Sequence, residues 1–194
     1  MNQFLIIALS FLSVSSMAIP ATASITNAKA AELTAHRIDR LVSLSKIDQT
    51  FLTHFSTVEI SVLTNQAPAY YKAHVTQTQP DQGQPMQLDI TYDENGKPLS
   101  FLVIAGGAVG PDMGWTGVDS VTLTENALHF VLENSEKDPR VKPFYNNLTS
   151  AHLIKGNLNG QTVASVQILS SETTQKLNIY LTLDGVFISA EFIP

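Results

Sequence analysis

MQLDITYDENGKPLSFLVI, residues 86 to 104, returns without a gap as QKLNIYLTLDGVFISAEFI, residues 175 to 193. Leu88, Ile90, Gly96, Ser100 and Ile104 fall on Leu177, Ile179, Gly185, Ser189 and Ile193, while Asp89 meets Asn178, Asn95 meets Asp184 and Leu99 meets Ile188. Apolar and polar residues alternate through the first part of each stretch, the period of a half-buried strand. The DENG and LDG between the runs supply residues that accept a positive φ cheaply, as a hairpin turn requires. Each stretch therefore reads as a strand, a turn and a strand, and the chain contains that hairpin twice.

The correspondence extends toward the N-terminus at nearly the same offset. Leu33 and Thr34 fall on Leu123 and Thr124, and Ile38, Leu41 and Val42 on Leu128, Val131 and Leu132, apolar positions spaced by three and four as on an amphipathic helix. Thr122-Leu123-Thr124-Glu125 matches a capping box and is the expected start of the second helix. Strand-like runs follow each helix, at 57–63, 69–77, 86–93 and 98–105, and again at 148–155, 162–170, 176–183 and 186–193. NLNG at 157–160 supplies a further turn. The expected fold is α+β, with two tandem repeats over 31–105 and 118–194. Each would be a helix packed on an antiparallel sheet of about four strands.

Between the repeats stands AGGAVGPDMGWTG, residues 105 to 117, with five of the ten glycines and the single Trp. A phosphate loop needs Gly-Lys-Ser/Thr entering a helix, and a dinucleotide fingerprint needs Gly-x-Gly-x-x-Gly. Glycines at 106, 107, 110, 114 and 117 fit neither, so residues 106–117 read as a linker. Trp115 has two readings there: it covers the seam between the repeats, or it anchors a binding surface.

Residues 1–23 read as a signal peptide, with an apolar core from Phe4 to Val14 and the small-x-small site Ala21-Thr22-Ala23; the alternative, a membrane anchor, needs a longer apolar run. A second such site, Ala28-Lys29-Ala30, leaves 24–30 as a flexible N-terminal segment ahead of the first repeat. Export predicts a periplasmic or secreted protein with no stable membrane anchor after cleavage. There is no Cys, which excludes disulfides, thiol nucleophiles and thiolate metal sites. A formal net charge of −6 without a basic stripe excludes the phosphate neutralisation that nucleic-acid binding requires.

The helix TLTENALHFVL at 122–132 and the two Gly-x-x-[Leu/Ile]-Ser hairpins at Gly96 and Gly185 resemble the PepSY-like and cystatin-like α+β modules of exported bacterial proteins. The resemblance spans about residues 31–194. It implies binding or inhibition of peptidases, or a non-catalytic accessory role, with a protein or peptide partner in the cell envelope.

Catalytic patterns are not legible. His36, His54, His74, His129 and His152 include no His-Glu-x-x-His pair, and no serine stands in a Gly-x-Ser-x-Gly elbow. No catalytic residue, metal ligand or cofactor is expected. The candidate partner contacts are Met113 and Trp115, Tyr70 and Tyr71, and Arg37 and Arg40 from AHRIDRLVSLSK, the one locally basic stretch. Two alternatives stand beside the binding module: a small-ligand carrier with a pocket between the repeats, and a hydrolase with dispersed catalytic residues.

Overall fold

The structure, a computed structural model, describes residues 24–63, 69–80, 82–108, 115 and 117–194. The expected signal segment 1–23, Met113 and most of the Gly-rich linker lie outside the described residues. The elements run α1 (Asn27–Ser43), α2 (Thr50–His54), β1 (Phe55–Leu63), β2 (Tyr70–Gln77), β3 (Met86–Tyr92), β4 (Pro98–Ala105), α3 (Ser120–Asn134), α4 (Lys142–Asn147), β5 (Leu148–Leu158), β6 (Gln161–Ser170), β7 (Lys176–Leu181) and β8 (Phe187–Ile193).

The fold is α+β, but the expectation of one four-stranded sheet per repeat is corrected. All eight strands form a single antiparallel sheet in the order β4-β3-β2-β1-β5-β6-β7-β8. The joint is the antiparallel pairing of β1 with β5, Thr57 opposite His152, Val58 opposite Ala151 and Glu59 opposite Ser150. Two separate sheets would each leave the first strand with an unpaired row of backbone groups. Pairing these two rows with each other removes both edges.

Because strand side chains alternate between faces, the registers sort the sheet into an apolar side and a polar side. On one face Val103, Leu88, Val75, Val58, Ala151, Ile168, Leu177 and Phe192 form a row that crosses every strand. Six of these eight, from Leu88 to Leu177, are at most 1% exposed. A buried Val, Leu or Ile side chain contributes about 1.5–3 kcal/mol. The row is therefore a large share of the driving force. The opposite face carries Gln87, Thr76, Thr57, His152, Gln167, Asn178 and Glu191 in one such row. The helices cover the apolar side, where α1 buries Ala31, Ala35, Ile38 and Leu41, and α3 buries Leu123, Ala127, Leu128 and Val131. Two helices absent from the sequence reading, α2 and α4, are each too short for periodicity to reveal. Each contributes one fully buried phenylalanine, Phe51 and Phe144.

The two helix starts also differ from expectation. α1 begins at Asn27, so the second half of the segment read as flexible (24–30) is helix. Thr26 caps it by accepting from the Lys29 N–H at 3.3 Å, and Ala28 and Ala30 are fully buried. α3 is capped by Asp119, whose Oδ1 accepts from Val121 N at 2.9 Å and Thr122 N at 3.0 Å. The Thr122–Glu125 box is thus inside the helix, because Asp119 stands three residues earlier and serves the same exposed N–H groups. No described helix is long and apolar enough to cross a membrane.

The halves correspond more closely than the sequence alignment indicates. Buried α1 positions Ala28, Ala30, Ala31, Thr34, Ala35 and Ile38 match Val121, Leu123, Thr124, Ala127, Leu128 and Val131, 93 residues on (28 to 121) rather than about 90. In the last hairpins the offset is 89: Leu88, Thr91 and Tyr92 answer to Leu177, Tyr180 and Leu181, and the register shift after Thr91 recurs after Tyr180. The difference lies in the β2–β3 loop, which is longer than the β6–β7 loop. At the 93-residue offset Val58 answers to Ala151, the residue it faces across the β1–β5 joint.

Polar contacts also cross between the halves at positions 93 residues apart (27 to 120, 36 to 129). Asn27 Nδ2 donates to Leu148 O at 2.8 Å, while the equivalent Ser120 Oγ accepts from Phe55 N at 3.1 Å and donates to Leu52 O at 2.6 Å. Each long helix thus begins by bonding the opposite half near the start of its central strand. Between α1 and α3, His36 Nδ1 meets Glu125 Oε1 at 3.0 Å, and the mirrored pair His129 and Glu32 stand at 3.5 Å. The hairpin glycines Gly96 and Gly185 occupy φ +80° and +85°, and a Cβ on either would come within 2.7 or 2.6 Å of a helix side chain.

Trp115 is 3% exposed. Its N–H donates to Thr53 O at 2.9 Å, its carbonyl accepts from Val118 N at 2.9 Å, and the Lys155 ammonium of β5 lies 5.2 Å from the ring centroid. The residue therefore touches α2 of the first half and β5 of the second. Trp115→Ala is expected to destabilise the fold by roughly 3–5 kcal/mol, the scale for a truncated buried aromatic. Urea denaturation measures this; a loss under about 0.5 kcal/mol, the ordinary surface range, would show that the ring is dispensable to the seam.

Candidate functional site

Three surfaces carry chemistry that packing does not consume. The first is the edge strand β4, PLSFLVIA. Leu99 (51%), Phe101 (41%), Leu102 (58%) and Ile104 (38%) are exposed, on both faces of the strand, and no charged residue stands between Leu99 and Ala105. Native edge strands are ordinarily blunted by charge, proline or a covering element. β8, the opposite edge, follows that rule: Phe187 stacks on Phe130 of α3 at 4.9 Å, Arg140 lies 4.6 Å over Phe192, and Glu191 accepts from the Tyr180 hydroxyl. β4 opens with Pro98, but beyond it no such stack, cation–π contact or carboxylate lies on the strand among the described residues.

The second surface is a groove of about 150 Å³ between α1 and the β3–β4 turn, lined by Leu33, His36, Arg37, Arg40, Tyr92, Gly96 and Pro98. It opens beside Pro98, the first residue of β4. Tyr92 forms the buried floor, its hydroxyl 3.1 Å from Thr34 Oγ1; burial pushes its pKa up to about 12, opposed in part by the Thr34 hydrogen bond and by Arg37.

The third is the polar sheet face at the joint. His152 is held between two hydroxyls, Thr57 Oγ1 at 3.0 Å from Nδ1 and Ser150 Oγ at 3.0 Å from Nε2. The pairing of a serine with an imidazole invites a hydrolase reading. Ser150, however, has strand partners on both sides, Glu59 and Leu169, so its backbone is committed to the ladders and unavailable as an oxyanion donor. Nearby, Asp89 accepts from His74 Nδ1 at 2.6 Å and pairs with Lys72 Nζ at 2.8 Å. Burial raises the Asp89 pKa, but these two partners outweigh it and hold the carboxyl below its ordinary value.

The residues expected to touch a partner do not gather in one place. Tyr71 is buried and its hydroxyl donates to Ile25 O; Tyr70 is half-buried at the start of β2. Trp115 is a core residue. Only Arg37 and Arg40 converge, one turn apart on α1, in the groove beside β4. β4 itself was not legible as a site, because an apolar run without alternation ordinarily marks a strand covered on both faces. Its telling feature is that no charge interrupts it, whereas the equivalent β8 contains Glu191.

No protein-family model, curated protein or solved structure matches the chain.

His152 gives the site a pH signature. Burial, with a smaller contribution from Lys176 and against the attraction of Glu59, lowers its pKa below the ordinary 6.5. The folded state then binds fewer protons than the unfolded one just below pH 6.5, so stability falls as the pH drops through that window and is fully present above it. His152→Gln should flatten the wild-type decline in urea midpoint between about pH 7 and pH 5; parallel curves for the two proteins would refute the assignment.

Proposed function

We propose that the protein is an exported, non-enzymatic binding module of the bacterial cell envelope, which takes an extended segment of a protein or peptide partner as a further strand on β4. The observation that carries this reading is the exposed apolar run of β4 with no charge in it, where β8, itself exposed at Phe187 and Ile188, carries Glu191 and the contacts with Phe130 and Arg140. An added strand would satisfy the backbone groups of β4, and its alternate side chains would meet Leu102 and Ile104 on one face or Leu99 and Phe101 on the other. The PepSY-like and cystatin-like resemblance of the hairpins accords with a peptidase-binding or accessory role.

The module is read as two copies of one α-α-β-β-β-β unit, supported by the matched buried positions and register shifts, with residues 1–23 as a cleaved signal. Cleavage after Ala23 accords with a helix that starts at Asn27, since a cut after Ala30 would remove buried Ala28 and Ala30. The carrier alternative would use the wider groove of about 490 Å³ over Phe130 and Phe187, within the range of small-molecule sites. That groove belongs to the second half alone, not to the space between the halves.

Placing a photo-crosslinking amino acid at position 102 in the native host tests the reading. Adducts confined to one short segment of one envelope protein are expected, and they should vanish when Phe101→Lys is added. Far-UV circular dichroism should show that this substitution, at a residue 41% exposed, leaves the chain folded. Adducts to a second copy of this chain alone would identify β4 as a self-association edge, and no adduct from folded protein would contradict strand addition altogether.

A further inference from the structure

The groove between α1 and the β3–β4 turn has a counterpart that shows which of its residues the scaffold needs. At the offsets established above, His36, Arg37 and Arg40 answer to His129, Phe130 and Glu133, and Gly96 and Pro98 to Gly185 and Phe187, the residues that line the groove of the second half. There the junction of helix and hairpin is made by the parallel stack of Phe130 on Phe187, and the charges satisfy one another, with His129 Nε2 3.1 Å from Glu133 Oε1. The same junction is therefore built without any arginine, beside a groove of about 490 Å³.

In the first half the two arginines have no such answer. The Arg37 Nε–H is buried with no hydrogen-bond partner. Neither Arg37 nor Arg40 stands in an ion pair among the described residues. Two nearby carboxylates are engaged: Glu125 is held by His36, and Asp93 of the turn accepts from Asn95 N and Lys97 N at 2.9 Å each. A guanidinium donates in a fork that matches a carboxylate, and an unmet buried donor is costly to keep. Leu33, Tyr92 and Pro98 supply apolar walls, and a space of about 150 Å³ is below the roughly 300–1,000 Å³ of drug-sized ligand sites. It is sized for a single side chain or chain end.

We propose that this groove is a carboxylate-recognition site, in which Arg37 and Arg40 bind a carboxylate borne on an apolar peptide stem. Two sources share that chemistry, a peptide's C-terminal carboxylate and an acidic side chain. The strand-addition reading favours the first, and to that extent the source rests on it: a segment pairing antiparallel to β4 would bring its carboxyl end to Pro98 and the arginines. The site itself stands on the groove and does not depend on β4.

Three small probes titrated into the full mature chain test it, followed by the side-chain ¹⁵Nε and ¹³Cζ resonances of Arg37 and Arg40. The probes are acetyl-Val-Leu with a free carboxylate, acetyl-Val-Leu-amide, and acetyl-Val-Glu-amide. The free acid should shift both arginines saturably, the amide should leave them in place, and Arg37→Met should weaken binding at least tenfold with the Arg40 resonance as reporter. A response to acetyl-Val-Glu-amide equal to that of the free acid would keep the site and assign the source to acidic side chains. Equal shifts from the acid and its amide, or no shift from any probe on the wild-type chain, would overturn the proposal even if Arg37→Met failed to fold. Leu102→Lys should leave the titration unchanged, so failure of strand addition at β4 and failure of the arginine site are read separately.

Discussion

Val58 facing Ala151 across β1 and β5 is the contact on which the rest of the architecture depends. The two residues hold equivalent places in the two halves, and their pairing turns two potential sheet edges into the centre of one sheet. It also aligns the apolar rows of both halves into a single row that ends at Val103 on one side and Phe192 on the other. A one-residue slip at this joint would send the row of one half to the opposite face. The register is therefore fixed by burial on both sides at once. α1 and α3 lie over the joint and hold it from above, through the mirrored Glu32–His129 and His36–Glu125 pairs and the bonds from Asn27 and Ser120 into the opposite half.

Closing the sheet at its middle leaves its two ends, β4 and β8, as the places where the halves meet solvent. Equivalent positions there have taken different residues. Phe187 stacks on Phe130 where the first half has Pro98 and Arg37, and Glu133 stands where it has Arg40. One end thus carries an aromatic stack and a carboxylate. The other keeps an apolar strand, a half-buried Arg37 and an exposed Arg40. That difference between the two ends of the sheet is what supports the proposal at β4 and the adjoining groove.

The hairpins were readable from sequence because everything that forms them is local: alternation along two short runs and a glycine at positive φ between them. Gly96 and Gly185 stand in the turns that DENG and LDG announced. The β1–β5 joint was not readable, since its partners lie 93 residues apart (58 to 151) and neither TVEISVL nor LTSAHLIK states which strand its free side will meet. The helix offset is a few residues off in sequence because α1 is rich in alanine: its leucines match apolar positions of α3 at about 90 (33 to 123), whereas buried Ala31 and Ala35 match Thr124 and Leu128 at 93 (31 to 124). Of the candidate contacts, Arg37 and Arg40 were visible as one basic stretch on a helix. Their meeting with Tyr92 and Pro98 depends on tertiary packing that sequence does not express, and Trp115 could be told from a surface anchor only by its burial.

Amide hydrogen exchange across residues 57–59 and 150–152 tests the central joint most directly. In an interior strand, amides pointing to either neighbour are bonded, so all six positions should exchange slowly and without alternation. If β1 and β5 were edges of separate sheets, every second amide would face solvent, and alternating slow and fast exchange along both segments would contradict the single sheet.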